Sequence, residues 1–428
     1  MKSKKRIMAF GISVLLASTL AACGTTDQST SKGSGGSSSA VTLNFMAWGN
    51  GPEELKGDKA IIDEFMKQNP TVKVNILTAP YGQYSDKLVT MAAGNNLPDV
   101  FWVGDKIPDF AEKGLLMPLD DLIMKNNIDL DDWLPGGTDI GRWRDKTFGF
   151  PRDLINIHVA YNKDMFDKAQ VPYPNDDWTW NDFLAVAQKL TIKDSNGKVT
   201  QFGIASYYRD EAIVQNGGLS FDFDGQSPVV MFDKPEAIEA IQFVADLTNK
   251  YHVQPSAAES KGIGNLFTAQ KAAMTFGGPW DWSNFAQNAK FKWDIVQVPA
   301  GKAGNKSQLL GLPIGISSKT KHQEEAWKLL EFLTHGGGQD IQSNLVGAHP
   351  SIKRTQETFN SGQYVPGNVK VVNESMQSNT IFVKSFPQLQ EARTMLQPIL
   401  DQIDQGKVQA ADALPKIADE IRNKLNFK

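Results

Sequence analysis

The chain has 428 residues, of which 41% are apolar and 21% are charged, a balance that predicts a globular body of one large domain or two ordinary ones. Its formal net charge is −4, and this lack of a basic excess argues against a nucleic-acid partner. Ten tryptophans are many for this length, and they suit either a large core or an aromatic binding surface.

The first 22 residues have the pattern of an export signal, with four cations ahead of an apolar run too short to favour a stable membrane span. The run ends in Leu20-Ala21-Ala22-Cys23, where small residues precede the only cysteine of the chain. This resembles the lipobox of bacterial lipoproteins, so we expect cleavage before Cys23 and a lipid on its thiol. An ordinary secretory signal with an incidental cysteine is the alternative. A single cysteine also excludes disulfides within the chain.

Residues 23–40 are rich in glycine, serine and threonine, and they predict a lipid-anchored flexible tether. As a coil, residues 24–40 span roughly 20–25 Å. Loss of residues 1–22 removes four cations and no acids, which changes the net charge from −4 to −8. No later stretch is long and apolar enough to cross a bilayer. We therefore expect a body held at the extracytoplasmic face of the cell membrane.

The body begins with alternating strand and helix patterns. Apolar periodicity predicts strands at 41–48, 71–77 and 98–104, with helices at 58–70 and from Ser85 to Gly94. Further on it predicts helices at 178–190, 234–251 and 321–334, strands at 272–276, 293–299 and 312–317, and a mostly helical end from 387 to 425. This order predicts an α/β fold of two domains, whose ligands bind in a cleft at the carboxyl ends of strands.

Motifs of several enzyme classes are absent from the sequence. It has no phosphate-binding P-loop, no H-E-x-x-H pair and no G-x-S-x-G elbow. Its five histidines lack metal-ligand spacing, and Asp222 and Asp224 lack the further ligands of a calcium loop. We therefore expect no cofactor and no metal. A glycosidase needs only two suitably spaced carboxylates, and 48 acidic residues supply candidates, so that class remains the enzymatic alternative.

Three predicted strands end in a tryptophan that has glycine or polar neighbours. Trp48 precedes Gly49 and Asn50, Trp102 lies three residues before Asp105, and Trp280 follows Gly277 and Gly278. Flat aromatic rings suit the C–H faces of a sugar, while carboxylates and amides suit its hydroxyls. A single tryptophan near a strand end is more often part of the core, but three of them favour a cleft for a polar ligand.

The chain resembles the family 1 extracellular solute-binding proteins of bacterial ABC importers. The resemblance rests on five segments in matching order: "PDVFWVGD" at 98–105, "VAYNKDMF" at 159–166, "VQNGGLSF" at 214–221, "AQKAAMTFGGPWDWSNF" at 269–285 and the stretch from 293 to 334. It covers essentially residues 41–428. It implies a hinge-connected, two-lobed, periplasmic-binding-protein-like fold of type II, with an N-terminal lobe of 41–152 plus about 303–355 and a C-terminal lobe of about 153–302 plus 356–428.

The resemblance also implies a set of ligand-binding residues. Its stacking and polar contacts fall on Trp48, Asn50, Trp102, Asp105, Asp153, Tyr207 and Trp280. Gln83 completes the set as a further polar contact. Asp281 makes a secondary polar contact or points elsewhere, and Trp282 either reinforces the site or packs under the following helix.

Some positions depart from the pattern of the maltodextrin binders in this family. Pro52 and Glu53 stand in place of an Asp-Lys pair, and Ala205 replaces a carboxylate. Arg393 lies about where a further stacking tryptophan is found, and we include it among the ligand-binding residues. These departures argue against maltodextrin as the ligand, and Arg393 could meet a more polar or acidic sugar unless it is simply an exposed helix residue.

The function that the sequence implies is binding without catalysis. We expect a monomeric, lipid-anchored carbohydrate-binding protein that delivers a sugar or oligosaccharide to the permease subunits of an ABC transporter by lobe closure. The alternatives are a secreted lipoprotein glycosidase and a partner that presents the sugar to a sensor.

Overall fold

The computed structural model describes residues 40–49, 55–345 and 348–428. The expected signal peptide, Cys23 and nearly all of the tether fall outside the described residues, as do Asn50, Pro52 and Glu53. Within the described ranges, no helix combines the length and the apolar character needed to cross a membrane.

The strands of the described residues, numbered in chain order, are β1 Val41–Trp48, β2 Val72–Ala79, β3 Val100–Trp102, β4 Arg142–Trp143, β5 Lys146–Thr147, β6 Gly149–Ile155, β7 His158–Asn162, β8 Ile192–Lys193, β9 Val199–Ile204, β10 Phe221–Phe223, β11 Pro228–Val230, β12 Ala272–Gly277, β13 Trp293–Val296, β14 Ser307–Ile316 and β15 Thr380–Phe382.

The helices of the same residues are α1 Leu55–Gln68, α2 Tyr81–Ala93, α3 Ile107–Glu112, α4 Asp120–Lys125, α5 Lys163–Ala169, α6 Trp180–Leu190, α7 Arg209–Gln215, α8 Pro235–Asn249, α9 Ala257–Ser260, α10 Trp282–Asn288, α11 Gln323–Thr334, α12 Gly338–Leu345, α13 Gln356–Asn360, α14 Lys370–Ser378, α15 Leu389–Asp404 and α16 Ala410–Leu425.

The first sheet has the strand order β15-β14-β3-β1-β2, and β6 also pairs with β14. β1 runs parallel to both β2 and β3, while β14 is antiparallel to β3. Apolar residues of α1 and α11 cover this sheet, among them Phe65 and Leu330, which are almost fully buried. The parallel arrangement brings the carboxyl ends of β1, β2 and β3 to one edge. We call this sheet and its helices the first lobe.

The second sheet has the order β13-β7-β12-β9-β8. β12 is antiparallel to β7 and parallel to β9. The fully buried strand β12 forms its centre, and α6 packs against β9 and β12. Helices α7, α8, α15 and α16 pack on one another. Arg209 ties this group together through an ion pair with Asp404 at 2.5 Å. We call this sheet and these helices the second lobe. The two sheets confirm the predicted α/β fold.

Two small hairpins lie outside the main sheets. β4 and β5 form one of them, and the backbone N–H of Leu119 donates to the carbonyl of Thr147 at 2.8 Å, which attaches it to the first lobe. β10 and β11 form the other, and the N–H of Val230 donates to the carbonyl of Lys428 at 2.8 Å beside α16.

Three stretches of chain meet at Ser307, the first residue of β14. Its hydroxyl accepts from the N–H of Ile157 at 2.9 Å, between β6 of the first sheet and β7 of the second. Its own N–H donates to the carbonyl of Asn379 at 2.9 Å, immediately before β15. Ser307 is fully buried. Hydrogen bonds of Ser307 therefore join the segments that pass between the two sheets, which fits the predicted hinge. The boundaries of the lobes stay a prediction.

Two elements begin four or more residues earlier than predicted. α2 begins at Tyr81 rather than Ser85, because Pro80 lacks an N–H and loses nothing by standing just before a helix. β14 begins at Ser307 rather than at 312, because its first three residues pair with β15, a strand that the sequence pattern did not indicate. The first difference matters for the site, since the added turn carries Tyr81 and Tyr84 to the edge where β1 and β3 end.

Candidate functional site

An aromatic cluster forms where β1 and β3 end. Because these strands are parallel neighbours, their last residues come together, and the ring centroids of Trp48 and Trp102 lie 4.5 Å apart. Tyr81 and Tyr84 present their edges to Trp48 at 5.7 and 5.4 Å. Trp48 is half-buried and Tyr81 is 67% exposed, so these two rings supply the accessible aromatic surface of the first lobe.

Trp102 is the buried member of this cluster. It is only 1% exposed, and the guanidinium of Arg152 lies 4.3 Å from its ring centroid. Arg152 also forms a largely buried ion pair with Asp58 of α1. Trp48 and Arg152 therefore cover the ring of Trp102, which was predicted to stack on a ligand. Only a small part of its surface is left for such a contact.

Asp153 lies in the same region on β6 and is 7% exposed. Burial raises the pKa of its carboxyl to about 6, against the opposing effects of Arg152 and of a hydrogen bond with Gln342. Its Oδ1 atom has no partner among the described residues. A buried carboxylate oxygen without a donor is a place where a ligand hydroxyl can bind.

The two tryptophans after β12 occupy different environments. Trp280 is 42% exposed on a 3-10 turn, and its ring lies so close to Gly278 that a Cβ there would come within 2.1 Å of it. Trp282 is fully buried, and its Nε1 donates to Nε2 of His158 at 2.9 Å. Burial lowers the pKa of His158 to about 3, so the ring is neutral and can accept this bond. Trp280 is therefore accessible and lines a large cavity, whereas Trp282 belongs to the core.

A cavity of about 2130 Å³ joins these groups. The first lobe and its hairpin contribute Trp48, Tyr81, Asp105 and Arg142, and the other wall includes Phe223, Trp280, Tyr364 and Arg393. Sites for drug-sized ligands measure about 300–1,000 Å³, so this cavity has room for several sugar rings. Its lining includes both aromatic rings and charged side chains, which suits a ligand with both C–H faces and hydroxyls.

Six of the ten predicted ligand-binding residues line this cavity together, namely Trp48, Trp102, Asp105, Asp153, Trp280 and Arg393. Asp105 and Arg393 face each other there, with Oδ2 and Nη1 3.0 Å apart.

Three of the remaining four residues do not line it, and the fourth, Asn50, lies outside the described residues. Gln83 is exposed on α2. Tyr207 is 4% exposed, with its ring 4.0 Å from that of Phe276 and its hydroxyl donating to Gln215 at 2.5 Å, so it lies in the core of the second lobe instead. Asp281 lines a separate, smaller cavity of about 440 Å³, where burial raises its pKa to about 6.

The sequence prediction missed several residues of the cavity. Tyr81 and Tyr84 follow β2, so the rule that placed Trp48 and Trp102 at the strand ends could have found them. Phe223 and Tyr364 lie in a short hairpin and a loop, where no periodicity marks them. Among the described residues, no group of three or more histidine, cysteine or acidic side chains could hold a metal ion.

Comparison with known proteins gives a consistent result. Residues 48–340 match the family described as bacterial extracellular solute-binding protein. A galactooligosaccharide-binding protein of Bacillus subtilis is 22% identical, over 100% of this chain and 99% of its own length. An uncharacterised lipoprotein of Streptomyces antibioticus is 25% identical over 68% of this chain, and the match spans 66% of the length of that relative.

Solved structures agree with the fold described above. An ABC substrate-binding protein from Listeria monocytogenes, in complex with cycloalternan, has a TM-score of 0.82 and 28% identity, covering 91% of this chain and 100% of its own. A maltose-bound protein of T. maritima has a TM-score of 0.75 at 23% identity, covering 90% of this chain and 100% of its own, and supports the two-lobed fold alone. The relatives from Bacillus subtilis and Listeria monocytogenes are named as binding proteins.

Proposed function

The chain belongs to the bacterial extracellular solute-binding protein family, and on that premise we propose that it binds an oligosaccharide in the cleft between its lobes and delivers it to an ABC transporter permease. The observation that carries the proposal is the pair of accessible aromatic surfaces that the two lobes contribute to one large cavity, Trp48 with Tyr81 from the first lobe and Trp280 from the second. The galactooligosaccharide and cycloalternan of two relatives support this ligand class.

In this proposal, closure of the lobes is the response of the protein to its ligand. A ligand that contacts both walls at once binds the closed form better than the open form, so it shifts the population toward closure without any chemical step. The lipobox-like Leu20–Cys23 segment supports a lipid anchor at the extracytoplasmic face of the membrane. Anchoring and tethering keep the protein near the permease while it samples ligand.

A thermal-shift screen against mono- and oligosaccharides tests the proposal. A ligand at one hundred times its Kd stabilises the folded state by about 2.7 kcal/mol, which raises the Tm of a body of this size by about 3 °C. We expect neutral oligosaccharides to produce this shift and monosaccharides to produce less, because the cavity exceeds one ring. Turnover of any oligosaccharide by the pure protein would instead show a glycosidase.

The pKa of Asp153 predicts a pH dependence of sugar binding. With its pKa raised to about 6, the carboxyl is mostly ionised at pH 7.5 and mostly protonated at pH 5. The ionised form accepts hydrogen bonds from ligand hydroxyls more strongly. We therefore expect the affinity for sugar to fall by up to about tenfold as the pH is lowered from 7.5 to 5. Asp153→Asn should give a flat profile by isothermal titration calorimetry. A wild-type profile that is already flat would contradict a ligand-binding role for Asp153.

A further inference from the structure

Four residues that line the cavity form contacts between the two lobes. Trp143 lies on the hairpin of the first lobe and Phe223 on the hairpin of the second, with their ring centroids 5.0 Å apart. Asp105 follows β3 of the first sheet, and Arg393 lies on α15 of the second lobe, 288 positions later in the chain. All four line the cavity. We call this set the clasp.

The aromatic part of the clasp is packed rather than incidental. Trp143 is 7% exposed, although its hairpin contains only two-residue strands. Phe223 stacks on Phe386 at 6.3 Å, just before α15 begins, and Phe386 is fully buried. The ring from the first lobe therefore contacts an aromatic group that belongs to the second lobe, and separating the lobes at this contact exposes apolar surface.

The ionic part belongs to elements that adjoin those of the aromatic part. The side chains of Asp105 and Arg393 are 42% and 46% exposed, so water screens their attraction. α3, which follows Asp105, packs against β4, while Phe386 leads into the helix that carries Arg393. The ring contact and the ion pair thus hold the same pair of surfaces together.

We propose that the clasp of Asp105, Trp143, Phe223 and Arg393 stabilises the closed arrangement of the lobes in the absence of sugar. The inference rests on the proposed function and adds which contacts favour the closed arrangement before a ligand binds. Asp105 and Arg393 are then positioning residues whose charges pair with each other. A sugar hydroxyl can form a hydrogen bond with either side chain only by competing with this ion pair.

Charge reversal offers a direct test. The distance between spin labels at Val89→Cys on α2 and Ile192→Cys on β8, both exposed and one on each lobe, reports opening without ligand. The labels are placed in a Cys23→Ser chain so that no other thiol reacts. We expect Asp105→Arg and Arg393→Asp, each of which puts like charges face to face, to raise the ratio of long to short distances about fivefold. The double reversal should restore the original distribution.

Controls separate the clasp from general effects of mutation. Lys125→Ala removes an exposed ion pair with Glu324 that lies within the first lobe, and it should leave the distances unchanged. Phe223→Ala should lengthen them as the single reversals do. Unchanged distances in both single reversals, or a double reversal that stays open, would overturn the clasp while a sugar-induced thermal shift still supported the proposed function. A clasp that responds as expected in a protein without any sugar-induced shift would overturn the proposed function alone.

Discussion

Trp280→Ala is expected to weaken oligosaccharide binding by more than about tenfold and to leave Tm nearly unchanged. Trp280 is 42% exposed on a turn at the cavity wall, so its ring contributes little to the folded core. A ring that becomes covered only when ligand binds adds its burial energy to binding, and tenfold corresponds to about 1.4 kcal/mol. Calorimetric titration with the best sugar from the screen, together with a melting curve, measures both quantities.

Trp282→Ala is the matched control, two positions further along the chain. Its side chain is fully buried against Phe359 and donates to His158, so truncation leaves a cavity and an unpaired histidine nitrogen. We expect a loss of about 3–5 kcal/mol in stability, with affinity retained where the protein is still folded. The reverse pattern, in which Trp280→Ala destabilises the fold and leaves affinity intact, would place Trp280 in the core.

Glu211→Gln is expected to remove a large pH dependence of stability. Glu211 on α7 is 2% exposed, and its carboxyl accepts from the N–H of Gln308, with the two oxygens 3.2 and 3.3 Å away. Burial raises its pKa to about 8, against the hydrogen bonds from Gln308 and Ser307, with a small contribution in the same direction as burial from Asp210. The folded state therefore retains a proton between pH 4.5 and 8 that the unfolded state has released.

The sign of the effect follows from proton linkage. Because the folded state binds the extra proton, stability falls as pH rises from 4.5 to 8, by up to about 1.4 kcal/mol per pH unit, and levels off above pH 8. The amide of glutamine can still accept from Gln308 but does not ionise, so the variant should be the more stable protein at pH 8.

Chemical denaturation from pH 5 to 9 measures this slope. Asp210→Asn serves as the matched control, since Asp210 is the exposed neighbour of Glu211 and its replacement should leave most of the slope in place. Parallel profiles for the wild-type protein and Glu211→Gln would contradict the assignment.

The sequence predicted the residues that the ends of neighbouring parallel strands bring together. Trp48 and Trp102 meet because parallel neighbouring strands end at the same edge, and both strands were recognisable from their apolar residues. Which tryptophan of the 280–282 pair is exposed depends on a 3-10 turn and on the space above Gly278, and neither leaves a periodic signal.

Long-range contacts decide the parts of the site that the sequence did not predict. The position of Tyr207 in the family pattern did not reveal that its ring packs on Phe276 in the core. Asp105 and Arg393 were both expected to contact ligand, yet they pair with each other across 288 positions. A local pattern carries no information on such a pair, because only the packing of two lobes brings it together.

The position of β14 in the first sheet has a consequence for how the protein folds. β14 lies between β3 and β15, although more than two hundred residues separate β3 from it in the chain. During synthesis, β1, β2 and β3 must therefore wait for most of the polypeptide before their sheet can be completed. Contacts of such long sequence separation slow folding. A fragment ending at β6 would lack this central strand, and it would expose the side of β3 to aggregation.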